Sequence, residues 1–183
     1  MEERWDIYDK NKQPTGRIMK RNDWTLKDDE YHLTVLGVIR RPDGKFLITK
    51  RVMTKAWAPG WWEVSGGAAQ AGEASYDAVL REVKEETGLS LTSYKFRGLI
   101  TFISDEYEAE MMCLFTADGY TGELITCDEG ELEWVKKSDV PQLPTWEGDA
   151  QFLKLLLEDE KRFFAMKLRY CLLYTSPSPR DCS

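Results

Sequence analysis

Long apolar runs are missing from this sequence. No stretch approaches the roughly 18–20 residues needed to cross a bilayer. The charged Glu2, Glu3 and Arg4 that follow Met1 lead into no apolar core of a secretory signal. Both absences point to a cytoplasmic chain with no membrane role. A basic surplus is missing too: the 183 residues carry a net charge of −7, whereas a surface that coats a nucleic-acid polymer needs clustered Lys and Arg. Close-set cysteines are absent, because Cys113, Cys127, Cys171 and Cys182 lack metal-ligand spacing, and reduced structural thiols are expected. Internal repeats and flexible linkers are absent from residues 1–170, which predicts one domain. What remains is 42% hydrophobic and 31% charged residues, a balance that can build a real core and excludes a disordered chain.

Residues 171–181 (CLLYTSPSPRD) read as one frame of a sequencing-library adaptor. Residues 171–183 are therefore set aside as an artefactual tail. Cys171 and Cys182 leave with it, Arg180 and Asp181 cancel in charge, and the natural chain is expected to continue past Tyr170. Upstream, residues 6–8 and 17–20 flank the turn-rich DKNKQPTG segment and predict an N-terminal hairpin. Residues 31–40 (YHLTVLGVIR) are β-rich, and Pro42, Asp43 and Gly44 predict a turn into a strand over 46–50, a second hairpin. A short strand over 61–64 should end at Gly66 and Gly67. Helical periodicity then runs over 73–87 and Gly88 stops it. Strands are expected at 96–103, 108–116, 131–135 and 163–170, with a second helix at 149–157, where Phe152, Leu153, Leu156 and Leu157 recur at helical spacing. This order predicts a mixed sheet with helices on its faces, an α/β or α+β sandwich.

Residues 67–89 carry the chemistry. A helix advances about 100° per residue, so Glu82, Glu85 and Glu86 share one face. Tyr76, Val79, Leu80, Val83 and Thr87 form the neighbouring apolar arc that would anchor the helix. Three like charges on one turn repel, and a hard divalent cation that takes several oxygen ligands reverses that repulsion. An acidic chain that handles phosphates needs such a cation to screen its own carboxylates. Gly66 and Gly67 permit a tight loop in which backbone oxygens approach the metal with no Cβ in the way. Arg81 is placed to pair with Glu73 about two turns back, a structural role.

The segment matches Gly-x5-Glu-x7-Arg-Glu-apolar-x-Glu-Glu-x-Gly-apolar at every position, with Gly67, Glu73, Arg81, Glu82, Glu85, Glu86 and Gly88 at its fixed sites. Together with residues 62–67 (WEVSGG) it resembles the Nudix hydrolase family. The resemblance implies an α/β fold: the Nudix α/β/α sandwich with a mixed β-sheet and the box as a loop–helix–loop. It also implies Mg²⁺ (or Mn²⁺) and hydrolysis of a nucleoside diphosphate linked to another moiety. A small nucleoside diphosphate-type substrate is thus the expected partner, and homodimers are common in the family. By position, Glu82 and Glu86 look like the main metal carboxylates, Glu85 a further ligand directly or through water, and the Gly66 carbonyl a backbone ligand. The general base in this family varies between a box Glu and a Glu from a later loop. Here Glu82 is the first choice and Glu129, in the CDEGELEW loop, the second, with an exposed loop acid as the alternative for Glu129.

Substrate contacts are read less sharply. Arg51 and Lys55 are candidates for outer phosphates or ordinary surface charges. Trp57, Trp61 and Trp62 are candidates for stacking on a base, or for core and rim packing, and Phe102 and Tyr107 share that ambiguity. The WDIYDKNKQPTG segment and His32 resemble the isopentenyl-diphosphate isomerase branch of the superfamily. That branch uses several histidines and an early cysteine, whereas this chain has one histidine and, outside the tail, only Cys113 and Cys127. A Nudix-like module that binds a nucleotide without cleaving it is the other alternative, against which every charged box position stands.

Overall fold

A computed structural model describes residues 3–54, 58–127, 130–158 and 161–170. In chain order it contains β1 (Arg4–Tyr8), β2 (Pro14–Lys20), β3 (Tyr31–Ile39), β4 (Lys45–Arg51), β5 (Trp62–Glu63), β6 (Ser65–Ala68), α1 (Ser75–Thr87), β7 (Ser90–Ser104), β8 (Glu110–Thr121), β9 (Gly130–Lys136), a 3₁₀ turn (Val140–Gln142), α2 (Glu147–Leu157) and β10 (Phe164–Tyr170). The larger sheet runs β10-β7-β8-β3-β1-β2, with β6 also on β3, and the smaller runs β5-β4-β9. The β3–β8 and β10–β7 pairings are parallel while the others in the larger sheet are antiparallel, so the sheet is mixed.

Nearly every residue of β3 is buried, as expected of a central strand covered on both faces. Val35 shares one apolar cluster with Val79 and Val83 of α1, and Val38 shares the other with Phe152, Leu153 and Leu156 of α2. The sheet is therefore filled in between two helices, the α/β/α layering expected from the sequence. No helix among the described residues is long and apolar enough to cross a membrane.

The N-terminal hairpin forms as expected, with Trp5 opposite Met19. The second expected hairpin does not. β4 leaves β3 after a lone Arg40–Phe46 bridge and pairs instead with β5 and β9. Both edges of β3 are already taken, one by β8 and the other by β1 at Tyr31 and His32 and by β6 at Thr34 to Gly37. A strand buried on both faces must then find its ladder elsewhere, and β4 finds it in the smaller sheet. The adaptor-like residues 171–183 lie outside the described residues.

Candidate functional site

Helix α1 is pressed against the sheet by its valines. A Cβ on Gly37 of β3 would stand 2.7 Å from Val83 Cγ2 and 3.3 Å from Val79 Cγ2, so the missing side chain lets the helix approach. The helix ends at Gly88, whose φ of 80° is the left-handed turn that glycine adopts most readily. Thr87, fully buried, closes its hydroxyl onto the Val83 carbonyl at 2.6 Å. Of the expected apolar arc, Val79, Val83 and Thr87 are buried, but Tyr76 is 49% exposed and lies against the rings of Phe115 and Tyr94.

With that arc inward, the glutamate face lies along β6. Gly66 and Gly67 do not form the expected loop. They sit inside β6, paired with Leu36 and Val35. A Cβ on Gly66 would run into the Val35 carbonyl, and one on Gly67 would stand 2.6 Å from the Glu82 carboxyl. The glycines are needed because a strand partner and a carboxylate both come close to the backbone. Glu86 accepts a hydrogen bond from the Gly66 amide at 3.2 Å.

Arg81 organises the rest. Its Nε and Nη2 grip Glu73 at 2.9 and 2.8 Å as a two-pronged fork, the pairing expected from the sequence. Nη1 reaches Glu82 at 2.8 Å and Glu85 at 3.3 Å, and Nη2 donates to the Ala68 carbonyl at 3.1 Å. Burial works against ionised Glu73, but the Arg81 fork and the Gln70 amide hold its carboxyl below the usual range. Glu82 goes the other way: burial outweighs the pull of Arg81 and raises it, with Glu85 and Glu73 adding to the effect.

The three box glutamates share a face yet do not meet at one point, because Arg81 engages Glu82 and Glu85 while Glu86 turns to the Gly66 amide. Among the described residues no three His, Cys, Asp or Glu side chains are gathered as a cation cage. The donor set still suits a hard cation. It is all oxygen, and two of its carboxylates lie on strand backbone where no Cβ stands.

The substrate-contact expectations fare differently. Arg51 does not project outward; it is 7% exposed and paired with Glu63 at 2.8 Å through its Nη1. Buried between strands, it serves β5 instead of facing an outer phosphate. Trp61 packs on Trp146, Trp62 lies beneath the Lys50 ammonium, and Phe102 packs on Tyr170. Lys55, Trp57 and Glu129 lie outside the described residues.

One constellation escaped the sequence. Asp149 of α2 lies within electrostatic reach of Glu63 of β5 and of Glu110 of β8. Burial, reinforced by Glu63 and Glu110, pushes Asp149 up to about 7. Burial likewise pushes Glu110 up to about 7 although the Thr34 hydroxyl, at 3.0 Å, stabilises its ionised form. A quarter of the Glu110 side chain still reaches solvent, and Asp149 is part-buried. His32 is stacked on Trp5 with Nε2 3.8 Å from Glu110, and burial takes it down to about 4. Nothing local announced this group: an acid in the first turn of α2 reads as an ordinary partner of the helix dipole.

The pattern that defines the NUDIX domain matches residues 30–156. The chain belongs to the Nudix family. It is 33% identical over 135 residues to the Bacillus subtilis Nudix hydrolase YvcI, covering 71% of this chain and 82% of that one. An oxidized purine nucleoside triphosphate hydrolase of Danio rerio is 33% identical over 132 residues, 72% of this chain and 82% of its own. An isopentenyl-diphosphate Delta-isomerase of Escherichia coli is 31% identical over 134 residues, 69% and 73% of the two chains. The crystal structure of a MutT protein from Bacillus halodurans superposes with a TM-score of 0.70 at 28% identity, covering 81% of this chain and 95% of that one. The Nudix chain is a pyrophosphohydrolase by family. Its lone histidine, buried and neutral against Trp5, cannot supply the isomerase branch's set of several.

Proposed function

We propose that this Nudix chain is a Mg²⁺- or Mn²⁺-dependent hydrolase that cleaves a diphosphate linkage in a nucleotide-type substrate. Glu82, Glu85, Glu86 and the Gly66 carbonyl would hold the metal. The N–H and C=O of one strand residue leave by the same edge, so the Gly66 carbonyl faces the side where its amide meets Glu86. When bound, the cation would neutralise phosphate oxygens and acidify a bound water. Glu82, on its glycine shelf, would accept a proton from the attacking water, whose oxygen bonds to phosphorus. The bridging P–O bond breaks, and its oxygen leaves with the other phosphate. Glu129 is the second candidate for the base. Arg81 holds Glu82 and Glu85 through Nη1, and its fork on Glu73 keeps the helix in place.

The acidic group of Glu63, Glu110 and Asp149 begins three residues before Gly66 along the chain, and we assign it to the base of the substrate. Carboxyls near 7 both donate and accept hydrogen bonds at neutral pH, which matches a purine edge that carries both kinds of group. The oxidized-purine hydrolase among the relatives supports that choice. The single observation that carries the proposal is the intact box, with Arg81 joined to Glu73, Glu82 and Glu85 beside the glycine strand.

A Mg²⁺ assay over a panel of nucleoside triphosphates and diphosphate-linked nucleotides, with products identified, tests it. Glu86→Gln should lower turnover by more than the about 10–100-fold typical of groups outside the ligand set. Full turnover in Glu86→Gln contradicts the ligand assignment, and no turnover by the wild type on any member would favour a binding module.

A further inference from the structure

The match to the family begins at residue 30, so β1 and β2 lie outside it. Yet this hairpin reaches the box three times. The Asp6 carboxylate accepts the Gly72 amide at 2.7 Å, and the Arg4 carbonyl accepts the Ala71 amide at 2.7 Å. Trp5, Ile7 and Met19 form a small core of their own that packs on Ala68. These contacts bracket the loop between β6 and α1. At one end, the Ala68 carbonyl receives Arg81; at the other, Glu73 bonds the Gln70 amide and takes the Arg81 fork. Gly72, at φ +80°, lies in a turn closed by the Glu73 amide on the Gln70 carbonyl at 2.9 Å, and the hairpin bonds tie that turn to β1. β1 gains its leverage by sharing the edge of β3 with β6.

We propose that the N-terminal hairpin braces the box, and that Asp6 is a positioning residue: by fixing Gly72 it sets Glu73, and through Glu73 the Arg81 side chain that orients Glu82 and Glu85. The consequence for metal binding rests on the function proposed above; the mechanical link does not. Three variants of the full chain test it. Asp6→Ala removes the acceptor, and Asp6→Asn keeps an acceptor oxygen without the charge. Asp9→Ala strips the bonds that serve the hairpin's own turn at Asn11 and Gln13.

The readouts are amide exchange at Ala71 and Gly72 in metal-free protein and Mn²⁺ affinity by calorimetry. Asp6→Ala should speed exchange at Gly72 by about tenfold or more and weaken Mn²⁺ binding by about tenfold. Asp6→Asn should restore both, and Asp9→Ala should change neither. Unchanged exchange in Asp6→Ala overturns the brace, as does unchanged Mn²⁺ affinity alongside faster exchange. Equal losses in Asp9→Ala would reduce the effect to hairpin stability and also overturn it. A wild type that takes up no Mn²⁺ sinks the metal-dependent function instead, and the exchange rates alone then decide the brace.

Discussion

Arg81 carries more of the site than its place in the sequence suggested. One guanidinium bonds three carboxylates and a carbonyl, and only its planar fork can grip Glu73 with two parallel bonds. Lysine keeps the charge and loses the fork. Arg81→Lys should therefore lower kcat/KM by about 10–100-fold with a smaller effect on melting temperature; activity within twofold of wild type would mean the fork is dispensable. The pairing with Glu73 was legible from spacing, since both residues stand at fixed positions of one pattern. The bonds to Glu82, Glu85 and Ala68 were not, because the reach of a long side chain depends on where β6 lies. Asp149 and Glu110 give a residue-scale test by pH. Each folded carboxyl titrates near 7, well above its ordinary value, so the folded state holds protons that the unfolded chain has released. Each group's contribution is present at low pH and is lost as pH rises from about 4 to about 7. His32, depressed to about 4, acts oppositely and adds stability between about 4 and 6.5. Asp149→Asn should flatten the decline between about pH 4 and 7, measured by denaturant melts at each pH. An unaltered slope would show that Asp149 is ionised throughout.

At the scale of elements, the box helix and its C-terminal stop could be read directly, because periodicity and a terminal glycine are local properties. The helix begins two residues later than expected, at Ser75, since Glu73 is occupied in the turn before it. The β3–β4 turn misled for a reason that is not local. A Pro-Asp-Gly turn reverses the chain, but whether the flanking strands pair depends on which edges later strands occupy, and here β8, β1 and β6 occupy both edges of β3. The seat of α1 on β3 has its own test. Gly37→Ala pushes a methyl into Val83 and should cost about 1–3 kcal/mol. Val83→Ala alone leaves a cavity and should cost about 2 kcal/mol. In the Val83→Ala background Gly37→Ala should cost clearly less, since residues in contact are not additive. Simple additivity in urea denaturation would mean that the helix does not rest on this point.

Taken as a whole, the molecule divides its work between two helices on opposite faces of one sheet. The α1 face presents the box, while the start of α2 brings Asp149 near Glu63 of the smaller sheet and Glu110 of β8. Hydrophobic spacing placed the helices and a mixed sheet with helices on its faces, and the resemblance to the Nudix family narrowed that to the α/β/α arrangement. The acidic group around Asp149 was not legible, because Glu63, Glu110 and Asp149 come from three elements far apart in the chain and each looks ordinary in its own segment. Asp149→Ala should raise KM for a purine nucleotide more than it lowers kcat, and the reverse split would move Asp149 into the chemical step. The central claim is that the acidic face of α1 binds a divalent cation. Mn²⁺ titration of wild type and Glu86→Gln, followed by calorimetry, addresses it most directly. The account predicts uptake by the wild type and an affinity lower by about tenfold or more in Glu86→Gln; equal affinity in the two proteins, or no uptake in either, would contradict it.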